Sequence, residues 1–171
     1  MEMMVALACG SILLTSFVST TALIGKTMLA TTNYNDLNQK SRSTLDWFSR
    51  DVRNATCASD NSNSTTLTMT NTFNASGVPQ VIVYSWDGSN VVTRASTANG
   101  VTTSSIMLTN CDAFSMNYYQ RNPTNNFGFI PRVDSTAKIK LVTISWHCSR
   151  TVLGSILNTE SVQTANVAMR N

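Results

Sequence analysis

The residues equipped for chemistry in this 171-residue chain are few and scattered. There is one histidine, His147, next to Trp146, and there are four cysteines, Cys9, Cys57, Cys111 and Cys148, with no CxxC pair among them. A structural zinc site draws on clustered Cys and His ligands, so no metal is expected. A serine hydrolase needs a hydroxyl, a base and a group that orients the base. In a chain this rich in Ser and Thr, hydroxyls near one histidine do not define such a triad. No phosphate-cradling Gly-rich loop, HExxH helix or EF-hand loop occurs. The expectation is a protein that is not an enzyme, with no catalytic residue, no metal and no cofactor, and with His147 in a structural role.

Three weaker signals point to surface chemistry. Tyr118, Tyr119 and Arg121 could stack on bases of a single strand. Alternation along a strand instead puts every second one of these residues in the core, which is the reading preferred here. Asn54, Asn63 and Asn74 each begin an Asn-x-Ser/Thr sequon, expected by chance in a chain so rich in Asn and Thr. The formal charge of +3 is small and dispersed, whereas phosphate binding needs Lys and Arg gathered on one face, so no nucleic-acid partner is expected. Charged residues are only 12% of the chain, leaving a surface of neutral hydroxyls and amides that suits an exported protein. One globular domain with one appendage fits this length.

The appendage is the N-terminus. From Met3 to Gly25 the chain is uncharged, between Glu2 and Lys26, and is long enough to cross a hydrocarbon core of roughly 30 Å as a helix. Ser11, Thr15, Ser16, Ser19, Thr20 and Thr21 are spread through it with Gly10 and Gly25. Small and hydroxylated residues let helices approach closely and bond back to their own backbone, which favours a bundle over a solitary anchor. Tyr34, Leu37, Leu45, Phe48, Val52 and Ala55 continue at helical spacing, with Asp36/Lys40 and Asp46/Arg50 as i,i+4 pairs. One helix is expected over residues 1–55, apolar over 1–29 and amphipathic over 30–55. At roughly 1.5 Å per residue it would be on the order of 80 Å long, so its second half must pack on a head.

The block MEMMVALACGSILL, Met1 to Leu14, resembles the N-terminus of type IV pilins and type II secretion pseudopilins. LDWFSRDVRNAT at Leu45 to Thr56 and TESVQTANVAMRN at Thr159 to Asn171 are similar to the minor-pilin and pseudopilin branch. The resemblance implies a leader ending in Gly and a methylated first residue ahead of Met1, a prepilin peptidase, and a pilus assembly machinery as partners. It also implies that Glu2 pairs with the N-terminal amine of a neighbouring copy as the helices pack. Buried without a partner, a carboxylate in an apolar helix is expensive. The other reading of Glu2 is an ordinary flanking charge at the headgroups. The proline that often interrupts the family's helix is absent here. Met3, Val5, Leu7, Ile12, Leu13 and Phe17 are the apolar side chains expected at helix–helix contacts.

From Thr56 to Asn171 the pattern becomes short β-forming runs between polar turns. Strands are expected at residues 66–71, 81–86, 91–94, 105–108, 114–120 and 139–147, with a further one near 162–169. Asp87, Gly88, Ser89 and Asn90 read as a hairpin turn. The expected fold class is α+β, a long helix packed on a mostly antiparallel sheet. If the strands around Phe114 and Ile139 pair about the loop between them, residues whose numbers sum to about 259 lie opposite one another. Cys111 and Cys148 satisfy that register and are the expected disulfide. Cys57 with Cys111 is the rival, and Cys9 is a small hydrophobe in the helix. The function expected from all this is a structural subunit of an extracellular filament, held in the inner membrane before assembly and polymerising with itself or with related pilins. A pseudopilin of a secretion complex and a membrane-tethered binding module are the alternatives.

Overall fold

A computed structural model describes residues 2–59, 62–71, 78–124, 128–132, 138–152 and 160–170. It opens with α1, Glu2–Asn54, an unbroken helix of 53 residues. Nine strands follow among the described residues: β1 Cys57–Ala58, β2 Thr66–Asn71, β3 Gln80–Trp86, β4 Val92–Ala98, β5 Val101–Leu108, β6 Cys111–Arg121, β7 Phe129–Pro131, β8 Leu141–Ser149 and β9 Glu160–Ala168. The fold is α+β, as the sequence indicates, but the strands form two antiparallel sheets rather than one. The first is the meander β1-β2-β3-β4-β5 and the second has the order β7-β6-β8-β9.

The helix runs unbroken through Gly10 and Gly25, and its hydroxyls bond back to its own backbone. Thr15, Ser16, Thr20 and Thr21 each donate to the carbonyl four residues back, at 2.8–3.0 Å. Only the second half is covered. Leu37, Ser41, Thr44, Phe48, Asp51 and Val52 are its buried residues, a 3.6-period stripe. Tyr34 was expected on that stripe and is exposed. Lys40 meets Asp36 at 3.4 Å as the spacing predicts. Asp46 and Arg50 form no ion pair, because the Arg50 guanidinium lies 3.9 Å from the centroid of the Trp47 ring. A cation over an exposed indole face competes well with a solvated carboxylate.

The stripe closes onto one core shared by both sheets. Leu67, Met69, Ile82 and Tyr84 come from the first sheet, and Met116, Val142, Ile144 and Trp146 from the second. In β8 every second residue is buried, the period of two that a half-covered strand requires. The sheets are tied by backbone hydrogen bonds, Cys111 N–H to Asn90 O at 2.9 Å and Met116 N–H to Ser64 O at 2.9 Å.

Candidate functional site

The stem is the most unusual surface of the molecule. From Glu2 to Leu29 every residue except Gly10 is exposed, and Gly10 is half-exposed. Glu2 stands in the first turn, and Met3, Val5, Leu7, Ile12, Leu13 and Phe17 all point into open space, Met3 being 84% and Phe17 72% exposed. The helix is long and apolar enough to cross a membrane, with a mean hydropathy of 1.8 over its most apolar window. The stem hydroxyls do not contradict this. Besides the four above, Ser11, Thr27, Thr31 and Thr32 donate to carbonyls three or four residues back. A hydroxyl satisfied in this way enters an apolar phase without an orphaned donor. The structure therefore presents the expected assembly residues together on one bare rod.

Cys111 and Cys148 are cross-strand partners in the β6–β8 register, as the sequence predicts, with a bulge between Cys111 and Ala113. Both are buried. All four cysteines are free thiols, so the expected bridge is not formed in this structure, while the register that permits it is found. The rival is disfavoured by position: Cys57 is exposed and faces Thr70. The Cys111 thiol donates to the carbonyl of Ala113 at 3.3 Å. The nearby Cys148, then burial, raises Cys111, while the nearby Cys111 lowers Cys148.

Next to this pair, His147 lies between two carboxylates. Its Nδ1 is 3.5 Å from Asp112 and its Nε2 is 3.5 Å from Glu160. Ser149 donates its hydroxyl to Asp112, not to the imidazole. The order needed for an activated serine is thus absent at this cluster. The two ring nitrogens point at different carboxylates, so the three side chains do not converge on one ion. Among the described residues no group of three or more His, Cys, Asp or Glu could hold a metal.

Tyr118 is half-buried and donates its hydroxyl to the carbonyls of Asn63 and Thr66, at 2.7 and 3.0 Å, which makes it a tie between the sheets and not a stacking platform. Burial pushes its phenol well above the usual range. Tyr119 faces Pro131 of β7, and Arg121 is exposed at the end of β6. Of the sequons, Asn54 ends α1, the side-chain oxygen of Asn63 accepts the backbone N–H groups of Thr65 and Thr66, and Asn74 lies outside the described residues.

Two features escaped the sequence reading. Asp51, on the buried face of α1, accepts from Arg94 Nε and from the Tyr84 hydroxyl, each at 2.7 Å. A carboxylate interrupting the apolar stripe between Phe48 and Val52 was the available signal. The other is a groove of about 800 Å³ beside the end of α1, lined in part by Arg50, Arg53 and Arg170. Nothing in the spacing of these arginines announces that they meet. No family model matches the chain. No curated protein is significantly similar to it.

Proposed function

We propose that this chain is a structural subunit of an extracellular type IV pilus-like filament, held in the inner membrane by its stem before assembly and packed through the same stem into the fibre core afterwards. One observation carries the reading: a rod of apolar side chains, Glu2 to Leu29, that its own head leaves uncovered on every side while the hydroxyls of Ser11, Thr15, Ser16, Thr20, Thr21 and Thr27 bond to its own carbonyls. Such a surface cannot stay in water and must be covered by lipid or by other apolar helices. Gly10, Ser11, Thr15 and Ser19 let backbones approach closely, which favours helices as the final cover. The resemblance of Met1 to Leu14 to the pilin N-terminus supports the filament, and gives Glu2 its role as the partner of a neighbour's N-terminal amine.

The test is assembly of the full chain, purified in detergent, when the detergent is withdrawn. Wild-type protein is expected to give fibres visible by electron microscopy. Glu2→Ala is expected to insert into liposomes as the wild type does and to give no fibres. A wild type that enters liposomes and stays monomeric there would count against the filament and for a membrane-tethered binding module. Mass spectrometry of fibres sheared from cells separates the two filament roles, since a principal subunit dominates them and a pseudopilin is rare.

A further inference from the structure

We propose that the arginine groove at the far end of the head docks onto the Asp112/Glu160 face of a second copy of this chain, and that this contact sets the axial step between neighbours. The proposal rests on the filament reading. Arg53 and Arg170 are exposed and form no ion pair among the described residues, and Arg50 beside them is held on Trp47. Asp46 is the one carboxylate lining the groove. Near the other end of the head, Asp112 and Glu160 are half-exposed, and among the described residues their only ionisable partner is His147, which is charged only if protonated.

The two patches lie near opposite ends of β9, Glu160 at its first residue and Arg170 just beyond its last. Landmarks on α1 give their separation. The Asp36 carboxylate meets Arg150, next to Ser149, at 2.6 Å, and Ser41 meets Ser161, next to Glu160, at 3.2 Å. The acidic face is therefore level with residues 36–41 of α1, and the groove, which runs along α1 from Leu45 to Asn54, carries its α1 arginines at positions 50 and 53. At roughly 1.5 Å per residue the two are about 20 Å apart along the helix.

They also face different directions. His147 stands on the opposite face of β8 from the buried Trp146 and Cys148, whereas the groove opens between α1 and the end of β9. A contact between two different patches is heterologous, and when its rotation does not close a ring it propagates as a helix. An antiparallel dimer could satisfy both patches at once, but parallel stems in one membrane or one bundle exclude it. Lipid headgroups are excluded as the occupant too, because the groove lies roughly 30 Å beyond the apolar part of the stem. Opposite charge across the contact favours this pairing and penalises other orientations of the heads.

Charge exchange tests the contact in the full-length protein. One variant carries Arg53→Glu and Arg170→Glu, and the other carries Asp112→Lys and Glu160→Lys. Each alone sets like charges against each other at every step and is expected to yield at least about tenfold less sedimentable fibre than wild type. Mixed in equal amounts, the two restore the fibre by alternating, because the altered groove of one variant meets the altered face of the other and the two unaltered patches meet at the next contact. As a check independent of folding, wild-type fibres should lengthen as salt is lowered. The proposal is overturned if both variants assemble as wild type does, or if the mixture stays depolymerised while each retains wild-type circular dichroism. Normal fibres combined with loss of heparin retention in the arginine variant would also overturn it, and would assign the groove to a soluble polyanion. A wild type that forms no fibres removes the filament reading itself, and this contact with it.

Discussion

At the scale of single residues, the strongest tie between helix and head is the carboxylate of Asp51. It is 5% exposed and answers both Arg94 and Tyr84, so its removal leaves a guanidinium facing the core and a phenol without its acceptor. Burial first, and then the Asp51 charge, pushes the Tyr84 phenol far above its usual range, so the pair persists as a neutral donor on a charged acceptor. Asp51→Ala should cost about 3 to 5 kcal/mol, as breaking a buried pair does. Tyr84→Phe deletes one hydrogen bond to a charged group and should cost about 1.5 to 3 kcal/mol. Urea denaturation of both variants in detergent checks the order, and a Tyr84→Phe loss larger than that of Asp51→Ala would contradict it. Asp87 gives the pH prediction. Its carboxylate accepts the N–H groups of Ser89, Asn90 and Val91, and these bonds lower its pKa to about 2. A folded pKa below the unfolded one means that the contribution is fully present above the ordinary carboxylate range and is lost as the pH falls through about 2. The stability gap between wild type and Asp87→Ala should therefore close between those limits in denaturant melts taken at successive pH values.

At the scale of elements, the pairing of β6 with β8 brings the Cys111 and Cys148 thiols together inside the head. Exposure to an oxidising compartment, where an external disulfide takes up the two electrons, should join them and should stabilise the head by about 2 to 4 kcal/mol. Non-reducing peptide mapping after export should recover a Cys111–Cys148 peptide, and a linked Cys57 would overturn the assignment. The β6–β8 register was legible in the sequence because the centre of the loop between the two runs places residues whose numbers sum to about 259 opposite one another, which holds at Cys111 and Cys148 and shifts by one beyond the bulge. The long helix was legible because its stripe and its uncharged run are contiguous. The strands β1 and β7, two and three residues long, were not legible, because so short a strand exists only through its partner. The Asn99-Gly100 turn between β4 and β5 was missed although its signal was present. Both residues have positive φ, 52° and 76°, the conformation that an Asn-Gly pair adopts in a two-residue hairpin. The split into two sheets was illegible because β5 and β6 are separated only by Thr109 and Asn110, which read locally like any hairpin turn. What separates the sheets is packing between residues distant in sequence, such as Trp86 against Phe114 with ring centroids 6.1 Å apart.

At the scale of the whole molecule, the stem and the head divide the work of the chain, and the division can be tested. The bare rod was readable from hydropathy alone, but the arginine groove was not, because Arg170 reaches Arg50 and Arg53 only once β9 lies along α1. Every buried residue of α1 lies at or beyond Leu37, and the shared core contains nothing from the first 29 residues. Those residues therefore contribute to solubility and association but not to the cohesion of the head. A chain starting at Ala30 should keep the network at Asp51 and the contacts of Ser41 with Ser161 and Trp146. Its unfolding free energy should match that of the full chain in detergent to within about 0.5 kcal/mol, the scatter typical of changes at sites that make no core contact. It should also be monomeric in water without detergent, since it lacks the exposed apolar surface that runs from Glu2 to Leu29. Urea unfolding and analytical ultracentrifugation measure the two properties independently. A truncated chain that unfolds would mean that the stem nucleates the helix it precedes, through the cooperativity of long helices. A truncated chain that folds yet still associates would place an apolar contact on the head and weaken the claim that assembly is driven from the stem.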